Sequence, residues 1–222
     1  AFIAQEKGHQ VTLYEASDKL GGNMRLAAYP PGKGDITNMI RSYIVRCQKA
    51  GVTIKMNQEV TLDLIREEKP DSVIVASGSR TLILPIEGID NPAIIHGSDL
   101  LDGKRAAGKK VLVVGGGMVG CETAAFLGEQ NHDVTVIEFR DTVGADVIHE
   151  HRVYLMKDFE DYKIKEITGA KVCKFYEDGV EYETADGQRH ESRGYDSVIL
   201  SMGFRNYNPF GEEIKAIVPD TY

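Results

Sequence analysis

The sequence has few cysteines, no excess of basic residues and no long apolar run. Its 222 residues include three cysteines, Cys47, Cys121 and Cys173, and no two of them are close enough for a CxxC pair or a zinc knuckle. Thiol redox chemistry and structural zinc are therefore not expected. An odd number of cysteines, without the basic start and cleavage site of a signal peptide at residues 1–10, favours the reducing cytoplasm.

Charge and hydropathy exclude further classes of protein. The net charge of −8, from 34 acidic and 26 basic side chains, argues against nucleic-acid and anionic-membrane partners. No apolar run approaches the roughly 20 residues that a transmembrane helix needs. The content of 42% hydrophobic and 27% charged residues is near that of an average soluble domain, which excludes disorder, collagen and coiled coil.

The sequence contains an internal duplication. Residues 8–15, GHQVTLYE, match residues 131–138, NHDVTVIE, at an offset of 131 − 8 = 123. Residues 71–80, DSVIVASGSR, match residues 196–205, DSVILSMGFR, at an offset of 196 − 71 = 125. Two similar offsets in the same order indicate two copies of one module.

We place the first module at residues 1–88, with residues 206–222 returning to it, and the second at residues 89–205. Each module is predicted to begin with a short β-branched strand and to close with a continuous apolar strand of the kind buried in parallel sheets. These strands are Val11–Glu15 and Val73–Ala76 in the first module, and Val134–Glu138 and Val198–Ser201 in the second.

A helix is predicted in the middle of each module. In the first, Asp35 is the expected N-cap, Gly51 follows the last turn, and the apolar residues between them recur three or four apart. In the second, similar spacing predicts a helix from Val147 to at least Leu155.

Two dipeptides, Asp178-Gly179 and Asp186-Gly187, predict hairpin turns in the second module. Each module is therefore expected to carry a small antiparallel β insertion before its closing strand. The predicted fold class is α/β, with two Rossmann-like dinucleotide-binding modules, of which the first is truncated.

Residues 111–120, VLVVGGGMVG, carry an apolar strand directly into a Gly-x-Gly-x-x-Gly pattern, and a helix-forming stretch follows. In such a pattern Gly115 permits a tight turn, Gly117 lets the backbone approach a pyrophosphate, and Gly120 lets helix and strand pack closely. Glu138 ends the next strand, 138 − 120 = 18 residues beyond the last glycine, where an acid binds a ribose. The sequence therefore predicts a dinucleotide site.

The carboxylate of Glu138 would repel a 2′-phosphate, which favours NADH over NADPH. Arg140 could instead pair with such a phosphate, although an ordinary solvated loop arginine explains it as well. The candidate cofactor-binding residues of the second module are Gly115, Gly116, Gly117, Met118, Val119, Gly120, Glu122, Glu138, Phe139, Arg140 and Gly203.

The offset of the duplication aligns Ala1 with Ala124, inside the helix that follows the glycines, and Glu15 with Glu138. The first module's own glycine pattern would then lie upstream of Ala1. We therefore expect the chain to be cut from a longer protein, with Glu15 retained as a ribose ligand.

These residues resemble the flavoproteins that have two dinucleotide-binding domains. Residues 21–40, GGNMRLAAYPPGKGDITNMI, are similar to the carboxy-terminal region of 2,4-dienoyl-CoA reductase, 2-enoate reductase and related NADH:flavin oxidoreductases. The resemblance implies that the first module binds the ADP half of FAD and that Glu122 lies near the nicotinamide. A first-turn carboxylate stabilised by the helix dipole explains Glu122 equally well. The residues implied for FAD are Glu15, Gly21, Gly22 and Gly78.

In that family an FMN barrel similar to old yellow enzyme and a 4Fe–4S cluster precede this region. The resemblance thus implies that NADH reduces FAD, and that electrons pass through the cluster to FMN, which reduces an activated C=C bond. The missing FMN-barrel part is the expected partner. We expect no catalytic side chain in this chain, weak or absent FAD binding by it, and no turnover.

Two other functions stay open. One is an electron-transfer subunit like the small subunit of glutamate synthase. The other is a non-catalytic nucleotide-binding module, as in trimethylamine dehydrogenase, whose equivalent region holds ADP. No metal site is expected, because His149 and His151 would point to different sides of a helix. Cys121 is expected to pack rather than to react.

Overall fold

The computed structural model describes all residues from Ala1 to Tyr222. They form two compact units. Unit 1 comprises residues 1–28, 34–80 and 206–222, and unit 2 comprises residues 29–33 and 81–205. The prediction of an α/β fold with Rossmann-like architecture is confirmed.

Unit 2 is built on a five-stranded parallel sheet. The strands are arranged in the order β4-β11-β5-β6-β7. They are β4 (Ile95–His96), β5 (Lys110–Val114), β6 (Asp133–Ile137), β7 (Lys165–Ile167) and β11 (Ser197–Leu200). The central strands are continuous apolar runs because both faces of the sheet are covered.

Successive residues of β5 belong to the two different faces of this sheet. Val111 and Val113 pack in a core with the helices α5 (Gly97–Leu101), α6 (Met118–Glu129) and α7 (His149–Asp161). Leu112 and Val114 pack in the opposite core. All four side chains are at most 1% exposed. This burial fixes the register of the strand.

The opposite core is covered by a three-stranded antiparallel sheet. It consists of β8 (Lys171–Tyr176), β9 (Gly179–Glu183) and β10 (Arg189–Ser192), in the order β10-β9-β8. The turns between them lie at Asp178-Gly179 and Asp186-Gly187, so both predicted hairpins are confirmed.

Unit 1 has a smaller sheet and a smaller core. Its strands β1 (Thr12–Glu15) and β2 (Thr53–Met56) pair in parallel. Its buried core consists of Ile65, Ile214 and Val218. Its helices are α1 (Phe2–Glu6), α2 (Asn23–Leu26), α3 (Asp35–Ala50), α4 (Leu62–Glu68) and α8 (Glu213–Ile217).

Two predictions for the first module are wrong. Val73–Ala76 is not a buried strand: it forms an isolated bridge from Val73 to Thr221, and Ile74 is 72% exposed. The run hydrogen-bonds only to residues 220–222, so no second neighbour covers it. The antiparallel insertion is also absent from unit 1, where α4 follows β2 instead.

The predicted middle helices are present with shifted boundaries. In α3 the N-cap is Gly34 rather than Asp35, and Gly51 ends the helix in the left-handed conformation as expected. The apolar stripe of this helix is only partly covered, since Met39 and Tyr43 are exposed. None of the helices is long and apolar enough to cross a membrane.

Short strands β3 (Ser79–Thr81) and β12 (Phe204–Asn206) pair where the chain passes between the units. Residues 81–88, which the sequence-based division gives to the first module, belong to unit 2. Ile86 packs on the core of unit 2, and the carbonyl of Glu87 accepts a 2.7 Å hydrogen bond from the Phe175 N–H.

Helix α6 approaches the preceding loop at backbone distance. A Cβ atom built on Gly120 would lie 1.7 Å from the carbonyl oxygen of Gly115, far inside van der Waals contact. Only glycine therefore permits this helix to pack where it does.

We predict that Gly120→Ala lowers the free energy of unfolding by about 3 kcal/mol, because the added methyl group overlaps backbone that cannot move without disrupting β5. Denaturant unfolding measures this change. The matched control is Gly34→Ala, where nothing lies within 4 Å of the added methyl group, and we expect a loss below about 1 kcal/mol. Equal losses in both variants would contradict the close packing.

Candidate nucleotide-binding site

The glycine loop joins the end of β5 to the start of α6. Gly115 adopts a φ of +104°, and a Cβ atom built on it would lie 2.5 Å from the carbonyl oxygen of Ser201. The turn therefore needs glycine both for its conformation and for its contact with the neighbouring strand. The helix that follows begins at Met118 and presents its first backbone N–H groups at this loop.

A cleft of about 290 Å³ lies over the loop at the carboxyl ends of β5, β6 and β11. In parallel sheets this edge is where ligands bind. Of the predicted residues, the cleft is lined by Gly115, Gly117, Met118, Val119, Glu138, Phe139, Arg140 and Gly203. The structure thus brings eight of them together. Gly116, Gly120 and Glu122 do not line it.

Glu138 follows β6 and turns its carboxylate towards the glycine loop. Its Oε2 accepts a 2.6 Å hydrogen bond from the N–H of Gly116, and its Oε1 accepts one of 2.9 Å from the N–H of Arg140. Phe139, between them, is 68% exposed. The Arg140 side chain is exposed and forms no ion pair. The arrangement offers a fixed acceptor beside an open aromatic ring.

Glu122, in the first turn of α6, is held by two cationic groups. Its Oε1 pairs with the ammonium of Lys33 and lies 3.1 Å from Nε2 of His151, and its side chain is 9% exposed. Such a carboxylate would be costly to bury without partners. Sequence reasoning missed both partners, because neither lies near Glu122 along the chain. The location of Glu122 near a nicotinamide stays a prediction.

Sequence reasoning also missed two polar groups at the cleft. Asp146 accepts a 2.9 Å hydrogen bond from the N–H of Met118, at the start of α6. The hydroxyl of Ser201, after β11, is buried without a hydrogen-bond partner. No sequence motif singles out either residue; only their position at the sheet edge does. No group of three or more His, Cys, Asp or Glu side chains is placed to hold a metal ion.

In unit 1, Glu15 ends β1 as Glu138 follows β6. Its Oε1 accepts hydrogen bonds from the N–H and the hydroxyl of Ser17, at 2.8 and 2.7 Å. The N–H of Ser17 thus plays the part that the N–H of Arg140 plays in unit 2, at the offset of 140 − 17 = 123. The predicted glycines all have positive φ: Gly21 (+114°), Gly22 (+48°), Gly78 (+74°) and, in unit 2, Gly203 (+99°).

Cys121 is fully buried behind the loop, and its thiol lies 3.2 Å from the carbonyl oxygen of Gly116. Burial raises the pKa of this thiol to about 12. A neutral, enclosed thiol fits the packing role and not that of a reactive thiolate.

We predict that iodoacetamide at pH 8 modifies Cys173, which is half-buried, and leaves Cys121 unmodified in the native protein. Peptide mass mapping identifies the modified residues. In guanidinium chloride all three cysteines should react, which controls for intrinsic reactivity. Native modification of Cys121 at the rate of Cys173 would contradict the burial.

Comparison with known proteins places this geometry in context. The family model described as pyridine nucleotide-disulphide oxidoreductase matches residues 1–218. Bilirubin reductase of Mediterraneibacter gnavus is 33% identical over 205 residues, which are 92% of this chain and 32% of that protein. Cinnamate reductase of Clostridium sporogenes is 30% identical over 223 residues, which are 99% of this chain and 33% of that protein.

A solved structure of 2-naphthoyl-CoA reductase in complex with 2-naphthoyl-CoA is 31% identical and superposes with a TM-score of 0.93. The match covers 100% of this chain and 34% of that one. The chain thus spans about a third of the length of these relatives. With the glycine loop, the acid after β6 and a family match over nearly every residue, the chain belongs to the pyridine nucleotide-disulphide oxidoreductase family.

Proposed function

We propose that this chain is the dinucleotide-binding part of an NADH-dependent flavoprotein oxidoreductase. The observation that carries the proposal is the Glu138 carboxylate, held by the glycine loop beside the N-terminus of α6. A helix N-terminus favours a pyrophosphate, and an acid at this distance from it favours a ribose. The family match over residues 1–218 supports the same assignment.

The residues of the cleft fit a bound NADH. The first N–H groups of α6 would hold the pyrophosphate, and the carboxylate of Glu138 would accept hydrogen bonds from the adenosine ribose. The exposed ring of Phe139 offers an apolar surface to the adenine. We assign the nicotinamide to the Glu122 end of α6, where Lys33 and His151 keep that carboxylate in place.

NADH is the proposed nucleotide rather than NADPH. A 2′-phosphate would bring its negative charge close to the Glu138 carboxylate, and the two would repel. Arg140 is exposed and could offset part of this repulsion, so the discrimination depends on the balance of these two side chains.

Unit 1 is the proposed site for the ADP half of FAD. Glu15 would bind the ribose, and the loops at Gly21, Gly22 and Gly78 would approach the phosphates and flavin. The nicotinamide supplies a hydride and the flavin accepts it, so the protein itself needs no acid–base pair for this step. What the chain contributes is binding and orientation.

In the whole protein we propose that electrons pass through a 4Fe–4S cluster to FMN in a preceding barrel, where an activated C=C bond of an enoate or enoyl-CoA is reduced. The names of two relatives, cinnamate reductase and 2-naphthoyl-CoA reductase, support this substrate class. So does the length of these relatives, which is about three times that of the chain.

We predict that Glu138→Ala weakens NADH binding by tenfold or more, about the effect of losing a charged hydrogen-bond acceptor. NADPH binding should weaken less or improve, because the repulsion of its phosphate is removed. Fluorescence or calorimetric titration with both nucleotides measures the two changes.

Glu67→Gln is the matched control for net charge, since Glu67 is exposed on α4 and remote in sequence from every predicted ligand. It should leave both affinities unchanged. NADH binding no tighter than ADP binding in the wild type, or an unchanged NADH-to-NADPH ratio in Glu138→Ala, would count against the proposal.

We also predict that this 222-residue chain retains little FAD. The sequence contains one Gly-x-Gly-x-x-Gly pattern, at Gly115–Gly120, so unit 1 offers Glu15 but no such loop for the pyrophosphate. After incubation with FAD and gel filtration, the flavin absorbance band should be well below one equivalent. A near-stoichiometric band would show this prediction to be wrong.

A further inference from the structure

Asp146 occupies the start of the helix that follows the glycine loop. Its Oδ1 accepts a 2.9 Å hydrogen bond from the N–H of Met118, the first residue of α6. A Cβ atom built on Gly117 would lie 3.1 Å from Oδ2 and 3.4 Å from Oδ1, so both carboxylate oxygens rest against the loop. The side chain is exposed and forms no ion pair.

The backbone around Asp146 is anchored to the same loop. The N–H of Gly144 donates a 2.7 Å hydrogen bond to the carbonyl of Gly116, and Val143 is fully buried. Arg152 of α7 donates to the carbonyl of Val143 at 3.2 Å. Because the backbone is held here, the carboxylate can leave the helix by rotation of its own side chain, without movement of the loop.

A bound pyrophosphate needs the N–H group and the space that Asp146 takes. The first N–H groups of a helix have no partner within it, and the helix dipole adds to their attraction for an anion. A carboxylate and a phosphate oxygen cannot both sit at Met118, and their negative charges repel at contact distance. Glu138 accepts from the neighbouring Gly116 N–H, so carboxylates hold both of these loop donors.

We infer that Asp146 is an internal substitute for the phosphate of the nucleotide. Its carboxylate caps α6 in the free protein and turns away when a pyrophosphate binds, so it lowers the affinity for dinucleotides and favours their release. This inference rests on the proposed function, because it takes the cleft to be the dinucleotide site. It makes Asp146 a residue that tunes affinity rather than a ligand.

The test compares wild type, Asp146→Ala and Asp146→Asn in calorimetric titrations with NADH, ADP-ribose and adenosine. Loss of a helix cap corresponds to a factor of about five in affinity, so Asp146→Ala should bind NADH and ADP-ribose about fivefold more tightly. Asp146→Asn keeps an acceptor but loses the charge, so its gain should be intermediate. Adenosine, which lacks phosphate, should bind all three proteins equally.

Asp141→Asn is the matched control, because Asp141 is exposed in the same loop and its loss changes the net charge equally. It should leave the NADH affinity within about twofold of the wild type. A second measurement follows the backbone amide resonance of Met118 during titration with inorganic pyrophosphate. In Asp146→Ala this resonance should shift at lower pyrophosphate concentrations than in the wild type.

The outcomes separate this inference from the proposed function. If the wild type binds NADH and Asp146→Ala binds it no more tightly, or more weakly, the inference is overturned and the proposed function stands. If neither protein binds NADH but the Met118 resonance still responds earlier in the variant, the proposed function fails and the inference stands. Failure of both measurements overturns both.

Discussion

The backbone N–H groups that open α6 need an anionic partner, and the surroundings of the glycine loop supply one for each of two donors. Asp146 accepts from Met118 at 2.9 Å, and Glu138 accepts from Gly116 at 2.6 Å. Because peptide N–H groups at a helix start have no partner inside the helix, they attract negative charge wherever it is offered. A site for a doubly charged pyrophosphate therefore arises mainly from backbone, and Arg140 is the one cation that lines the cleft.

This presentation of N–H groups depends on close packing beneath it. Gly120 lets α6 come to the loop at a distance that a single methyl group would prevent. The strand leading into the loop is buried on both faces, by helices on one side and by the antiparallel sheet on the other. The loop therefore sits on a rigid base, and its N–H groups point into the cleft without the entropic cost of ordering.

Three carboxylates lie around α6, and each is stabilised differently. Glu138 binds the loop N–H groups, Asp146 caps the helix, and Glu122 is enclosed by Lys33 and His151. The first two are available to exchange their partners for a ligand, since their acceptors face the cleft. The third is held by side chains and is suited to a fixed electrostatic role at the other end of the nucleotide. The same residue type thus acquires three roles from three environments.

The sequence by itself determined the features that depend on local pattern. The duplication, the buried strands of unit 2, the hairpins and the glycine loop with Glu138 all follow from spacing within short segments, where backbone sterics and periodicity decide the structure. Only the tertiary structure decided that Asp146 caps α6, that Glu122 meets Lys33 and His151, and that Val73–Ala76 lies exposed. These depend on which distant segments become neighbours, and the periodicity of a segment describes its own faces but not what covers them.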